Sequence, residues 1–418
     1  MQALDVLRNA FRIQDLRKKI LFTLAMLIVY RVGSYVTVPG IDATELAQKF
    51  GAGSLFGLLD LFAGGNLVRF SIFAMGVNPY ITSSIIFQLL QIVVPKLEEL
   101  AKEGVEGRKK IAQYIRYGTV LLGVIQAYGT VVYVQNFIRN PGILTTVTMV
   151  LVLTAGTVFL MWLGEKISER GIGNGVSLII FIGIIARQPQ TWMQLGQSVG
   201  EGGVSVISIL AFAVVAIIII GGVVMIQEAQ RRIPVQYAKR VVGRRIYGGQ
   251  STHIPLRVNQ AGVIPVIFAS SLLAFPATLG LFFPKLTFLE TMFRSDALVY
   301  NIFYALLVVF FTYFYTAVTF NPIQVADNMK KYGGFVPGIR PGRPTSEYLE
   351  RVLTRITLAG SIFLAVIAVL PAVTTALFRM PGLYFGGTSL LIMVGVALDT
   401  MKQIEAQMLM RNYEGFMK

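Results

Sequence analysis

The sequence predicts an all-α polytopic membrane protein, and three observations carry that prediction. Of its 418 residues 55% are hydrophobic and only 14% are charged, against about 25% charged in soluble domains. The apolar residues gather into ten runs, most of them near the roughly 20 residues that a helix needs to cross a bilayer. The basic residues lie between those runs. The net charge of +16 therefore reads as a topology signal and a cytoplasmic docking surface before it reads as a nucleic-acid footprint. Cysteine is absent, which removes disulfides, thiolate metal sites and thiol nucleophiles.

Taken in order, residues 1–19 place Leu4, Leu7 and Phe11 at helical spacing, with Arg8, Arg12, Arg17, Lys18 and Lys19 among and after them. This is the pattern of a short interfacial helix on an anionic leaflet, or of a frayed basic leader. No short apolar core with a small-residue cleavage site follows, so the first apolar run is expected to be a retained span. The ten expected spans are 20–37, 75–95, 111–135, 144–163, 174–187, 204–226, 259–282, 298–320, 353–371 and 385–401. Between the first two lies Ser54–Gln91, apolar enough for a membrane but interrupted by Gly57, Gly64, Gly65 and Arg69. From Ser71 it runs on without a break, with Asn78–Pro79 near the start of a helix. A half-inserted segment leading into a full span is how membrane proteins build pores and broken-helix binding sites.

The fifth run, VSLIIFIGIIA, is short and reaches far enough only with the preceding GIGNG. Parity decides it. With ten spans and the N-terminus inside, all but eight of the 37 Lys and Arg residues face the cytoplasm or sit at cytoplasmic span ends. The exceptions are Arg31, Lys49, Arg69, Arg139, Arg187, Lys285, Arg294 and Arg379. Without a fifth crossing the richest basic loop would face outward, against the positive-inside rule. Ten spans divide into five and five, and an odd number per half gives the halves opposite orientation. The expected division is 1–195 and 196–418. No internal sequence similarity accompanies it.

Several chemistries lack their residues. Glu165, Glu228, Asp327 and Asp399 fall at cytoplasmic ends of spans, and no acid sits mid-span, where coupling to protons or cations usually places one. Backbone-coordinated sodium stays open. The single histidine, His253, lies in a basic loop, and there is no HExxH. GGFVPGIRPGRPT lacks the lysine and following hydroxyl of a phosphate-binding loop. No cofactor, metal or catalytic residue is expected.

Four constellations remain. Val77, Ile81 and Ile85 form an apolar stripe at four-residue spacing, and Val176 and Ile180 repeat the spacing in the fifth span. Such stripes pack or face lipid, or else form a constriction that excludes water by being apolar. Thr82 and Ser83 in the second span, Gln126 in the third, and Asn259 and Gln260 opening the seventh put hydrogen-bonding groups into the membrane. They serve either as helix–helix glue and an N-cap or as a polar seam between helices that part. Residues 227–258 carry Arg231, Arg232, Lys239, Arg240, Arg244, Arg245 and Arg257 against the single acid Glu228, interleaved with Ile233, Val235, Tyr237, Val241 and Tyr247. Residues 321–352 add Lys330, Lys331, Arg340 and Arg343 around a proline-punctuated tip. Both loops look built to dock on something acidic, a protein or ribosomal RNA.

At these loops the sequence resembles a known family. RRIPVQYAKR, GRRIYGGQSTHIPLRVNQAGVIPVIFASS, GGFVPGIRPGRPT and FGGTSLLIMV are similar to motifs of the SecY family, the channel subunits of bacterial protein-secretion translocases. FAGGNLVRFSIFAMGVNPYITSSIIFQLL and MWLGEKISERGIGNG match too. The resemblance implies two inverted five-helix halves around an hourglass pore, in the bacterial plasma membrane with both termini cytoplasmic. It implies a pore ring of Val77, Ile81, Val176, Ile180, Ile267 and Ile392. A plug would span about 56–67, with Phe56, Leu59, Phe62, Gly64, Gly65 and Leu67, its glycines giving it the freedom to leave. A lateral gate would lie between spans two and three and spans seven and eight, with Thr82, Ser83, Gln126 and Asn259 at its seam. Arg340, Arg343 and the basics from Arg231 to Arg245 would dock the SecA motor or the ribosome. The implied partners are SecE, SecG, SecA, the ribosome, signal sequences, nascent chains and anionic lipids. Beside this protein-conducting channel, a broken-helix secondary transporter stays open as the alternative.

Overall fold

The computed structural model describes residues 11, 13–41, 46, 60, 63–200, 206–237, 240–242, 245–247, 251–282, 297–378 and 387–416. Among the described residues ten long helices answer the ten expected spans. They are α1 (Gln14–Gly33), α2 (Asn78–Val93), α4 (Val105–Tyr133), α5 (Ile143–Arg170) and α6 (Gly175–Gly200), then α7 (Val206–Glu228), α8 (Ile264–Phe282), α9 (Leu298–Thr319), α11 (Arg343–Phe378) and α12 (Gly387–Phe416). Two short helices, α3 (Pro95–Lys102) and α10 (Pro322–Lys331), follow α2 and α9 in the basic loops.

The local chemistry explains the boundaries. Val94 is extended before Pro95, as the residue ahead of a proline prefers, and α3 turns 100° away from α2. Asn321 caps α10, its Oδ1 accepting from Ile323 N and Gln324 N at 3.1 Å each. At the GIGNG turn Gly173 has φ +87°, and Asn174 Oδ1 accepts from Ser177 N at 3.1 Å to start α6. Once started, α6 carries on through Pro189 to Gly200. The fifth span is therefore longer than the apolar run alone marks. Conversely, residues 14–19 continue directly into α1. Residues 1–10 and 12 of the expected interfacial helix lie outside the described residues.

Helix pairing repeats between the halves. In the first, α1 packs on α5 and α6, α2 on α4, α4 on α5, and α5 on α6; in the second, α7 packs on α11 and α12, α8 on α9, α9 on α11, and α11 on α12. Numbered as spans one to five and six to ten, these five pairs correspond; the first half adds α2 on α5, which has no counterpart of the same strength in the second. Across the halves α8 meets α2 and α4, while α12 meets α6. The pairs of spans two with seven and five with ten map onto themselves when the halves are exchanged. The pair of spans three with seven has no such counterpart, so the contacts follow an approximate two-fold relation that the residues themselves do not display.

The two basic loops add a small sheet to the helical body. Strand β1 (Gln230–Tyr237) pairs antiparallel with β4 (Ser251–Arg257), and β5 (Gly334–Phe335) from the other loop pairs with the far edge of β1. Strands β2 (Arg240–Val242) and β3 (Arg245–Tyr247) form a second hairpin beyond them. Strand alternation turns Ile233 and Val235 inward, where they join Leu256, Met329, Val336 and Leu349 in one buried cluster. Two loops that read as separate basic segments are one folded unit.

Candidate functional site

Six helices enclose a cavity of about 420 Å³ that is polar at its mouth and apolar at its floor. The floor is Ile81 of α2, Val176 and Ile180 of α6, and Ile267 of α8. The walls carry Gln88, Arg116, Glu165, Ser168, Glu169 and Asn174. Across this wall Arg116 and Glu165 form a two-pronged pair, Nε to Oε1 and Nη2 to Oε2 at 2.9 Å each, which ties α4 to α5 by a fixed fork geometry. The mouth lies at the helix ends that carry the basic loops. The cavity is thus a vestibule that ends on branched aliphatic side chains.

Four of the six residues expected in the ring, Ile81, Val176, Ile180 and Ile267, line this one cavity. Val77, Ile81, Ile180, Ile267 and Ile392 are buried members of one cluster, and Val176 packs against it half-buried. They come from the turn before α2 and from α2, α6, α8 and α12, and those of α2, α6 and α8 meet at the cavity. Ile85, the third member of the stripe, is buried in the same cluster. A constriction of this chemistry excludes water and ions without offering any group that grips a particular solute.

Further along α6, Gly183 and Arg187 meet Gly64 and Asp60 of the glycine-broken segment. Phe56, Leu59 and Phe62 lie outside the described residues. Gly64 and Gly65 adopt φ +70° and +86°, a left-handed backbone that glycine takes without steric cost. Leu67 is buried with Ala63, Phe70, Ala74 and Met75 against Val131 of α4 and Leu153 of α5. Asp60 and Arg187, which no motif had singled out, form an ion pair at 2.8 Å. Both sit in or at the end of apolar stretches, where an unpaired charge is expensive; that cost was the signal available to find them.

The seam residues make different contacts. Ser83 Oγ donates to Ile115 O at 2.8 Å, binding α2 to α4 within one half. Thr82 Oγ1 donates to Asn78 O of its own helix at 3.0 Å. Gln126 lies half-buried in the second half of α4. Asn259 is buried before α8 begins, its Nδ2 donating to Gly262 O at 2.9 Å, so it is not the cap of that helix.

In the sheet-bearing unit Arg231 and Arg232 are exposed on β1. Arg340 is exposed at the tip between Gly338 (φ +80°) and Gly342 (φ +100°). Arg343 pairs with Glu347 one turn along α11, Nε to Oε1 at 3.0 Å. Lys239 and Arg244 lie outside the described residues, and Arg240 and Arg245 are described by their strands only.

Ten spans in two similarly packed halves, with a cavity of mixed polar and branched aliphatic lining among them, define a helical membrane channel or carrier. The comparisons with known proteins narrow that class. The SecY family profile matches residues 71–401. Relatives named protein translocase subunit SecY are 50% identical in Streptomyces galbus, over 99% of this chain and 100% of that protein. In Halalkalibacterium halodurans the figure is 52%, over 98% and 99%. A solved structure described as a protein-conducting channel aligns with 93% of this chain and 92% of its own, at a TM-score of 0.64 and 18% identity. Sec61 in a canine ribosome–channel complex aligns over 93% and 92% at a TM-score of 0.59 and 17% identity. The chain belongs to the SecY family.

Proposed function

We propose that this chain is the pore subunit of a protein translocase, which passes unfolded secretory polypeptides across the bacterial plasma membrane and releases transmembrane segments sideways into lipid. The observation that supports the reading is the cavity on which Ile81, Val176, Ile180 and Ile267 meet, with Val77 and Ile392 in the same apolar cluster. A channel for varied sequences needs a constriction that fits loosely around any side chain, and branched aliphatics meet that need. The seam of α2 and α4 with α8 is the lateral exit. Neutral hydrogen bonds hold membrane helices together by only about 0.6 kcal/mol on average, so such a seam parts readily. The plug is the segment 56–67, and the halves 1–195 and 196–418 move about the pore.

The chain is a conduit and not a catalyst; a SecA motor or the ribosome supplies the driving force. The exposed arginines at 231, 232 and 340, on one folded platform, support docking of such a partner, with SecE and SecG beside the channel and anionic lipid at its basic faces. Both termini are cytoplasmic. The absence of mid-span acids disfavours the alternative of an ion-coupled transporter. A photoreactive group at Ile81 is expected to attach to a stalled secretory chain; labelling of lipid or neighbouring helices alone, during active export, overturns the ring assignment.

A further inference from the structure

The segment between the first two spans is seated by a buried ion pair. Asp60 is 1% exposed, and its Oδ2 lies 2.8 Å from Nη1 of Arg187 on α6. Its other oxygen, Oδ1, accepts from the backbone N–H groups of Leu67 at 2.8 Å and Val68 at 3.1 Å, tying residue 60 to residues 67 and 68. One helical turn along α6 from Arg187, Gly183 approaches Gly64 so closely that a Cβ on Gly64 would lie 2.6 Å from Gly183 Cα. From α1, the Tyr30 hydroxyl accepts from Asn66 Nδ2 at 3.1 Å and donates to Ala63 O at 3.4 Å. The loop thus rests on α1 and α6 through several contacts, of which one is charged.

The charged contact differs in kind from the rest. A buried ion pair gains little net energy, because desolvation of both ions offsets their attraction, yet stranding one ion is strongly unfavourable. It therefore fixes where the loop sits more than how tightly. The Arg187 side chain is 26% exposed, so water reaches it once the loop lifts, and both ions then regain hydration. We propose that Asp60 and Arg187 are an electrostatic latch, positioning residues that seat the stopper loop on α6 in the closed channel. The latch rests on the reading of 56–67 as a plug and adds the contact that holds it.

The test uses the complete translocase reconstituted in planar bilayers. Asp60→Asn and Arg187→Gln are each expected to raise the ion leak of the idle channel about tenfold, the scale of one lost charge-assisted contact. The double variant should leak no more than either single, because the pair acts as a unit, and Arg187→Lys should stay near the parent. Unchanged leak in both singles, additive effects in the double, or leak that appears only with early thermal unfolding each overturns the latch. A separate arm joins Asp60→Cys and Arg187→Cys with a short bifunctional thiol reagent, which the cysteine-free background permits. Export should stop on joining. Export that continues overturns the plug reading itself, whatever the charge variants show.

Discussion

At the scale of single residues, the two plug glycines separate into different roles. Both hold positive φ, but a methyl group added at Gly65 would meet nothing within 4 Å, whereas Gly64 is pressed against Gly183. Sequence alone suggests that stiffening either glycine slows opening. The close approach gives Gly64 the opposite sign: Gly64→Ala should push the loop off α6 and raise idle ion leak, while Gly65→Ala should cost only left-handed strain of about 1–2 kcal/mol. Conductance of the idle channel, measured for both variants, distinguishes them. At the ring, Ile180→Asn should wet the constriction and raise leak with the fold intact, because Ile180 is fully enclosed at 1% exposure and an amide there brings water with it. Retained impermeability would remove Ile180 from the seal.

At the scale of elements, the small sheet turns two loops into one platform. Leu349 of α11, fully buried, joins the sheet to the end of a long membrane helix, so force applied to the platform is transmitted into α11. Leu349→Ala should cost about 2–5 kcal/mol and weaken motor-driven export through loss of the platform's geometry. Arg340→Glu should weaken motor-driven export without lowering stability, since Arg340 is exposed. Thermal unfolding beside motor-coupled export separates the two, and equal destabilisation by both would remove the distinction. The connection at 171–175 is the second decisive element. Its glycines allow Gly175 to lie against Gly164, so α6 starts at once beside α5 and carries Val176 and Ile180 to the constriction.

At the scale of the whole molecule, the two halves touch at α2 and α4 with α8 and at α6 with α12. Opening at the first contact while the second holds gives a sideways exit with a hinge opposite. Ser84 and Ile264 share the vestibule wall on the two sides of that first contact. Tying Ser84→Cys to Ile264→Cys with a short bifunctional reagent should abolish integration of transmembrane segments; integration at the parent rate would show that segments leave elsewhere.

The sequence by itself determined the ten spans and the placement of the basic loops between them. Apolar length and charge bias are local quantities that the bilayer reads one segment at a time, and the ten long helices bear out the spans one by one. The apolar stripes at 77–81 and 176–180 were legible as pattern, although pattern alone left packing and constriction both open; their family meaning came from the resemblance. Tertiary structure alone decided which partners met. It joined Asp60 to Arg187 across 127 positions of sequence, bound Ser83 to the backbone of α4, and merged two loops into one sheet. It also revealed a two-fold pattern of helix pairing that no internal similarity announced. Partner choice depends on close packing and on the cost of an unpaired polar group at one place in three dimensions, and neither is written in the order of residues along the chain.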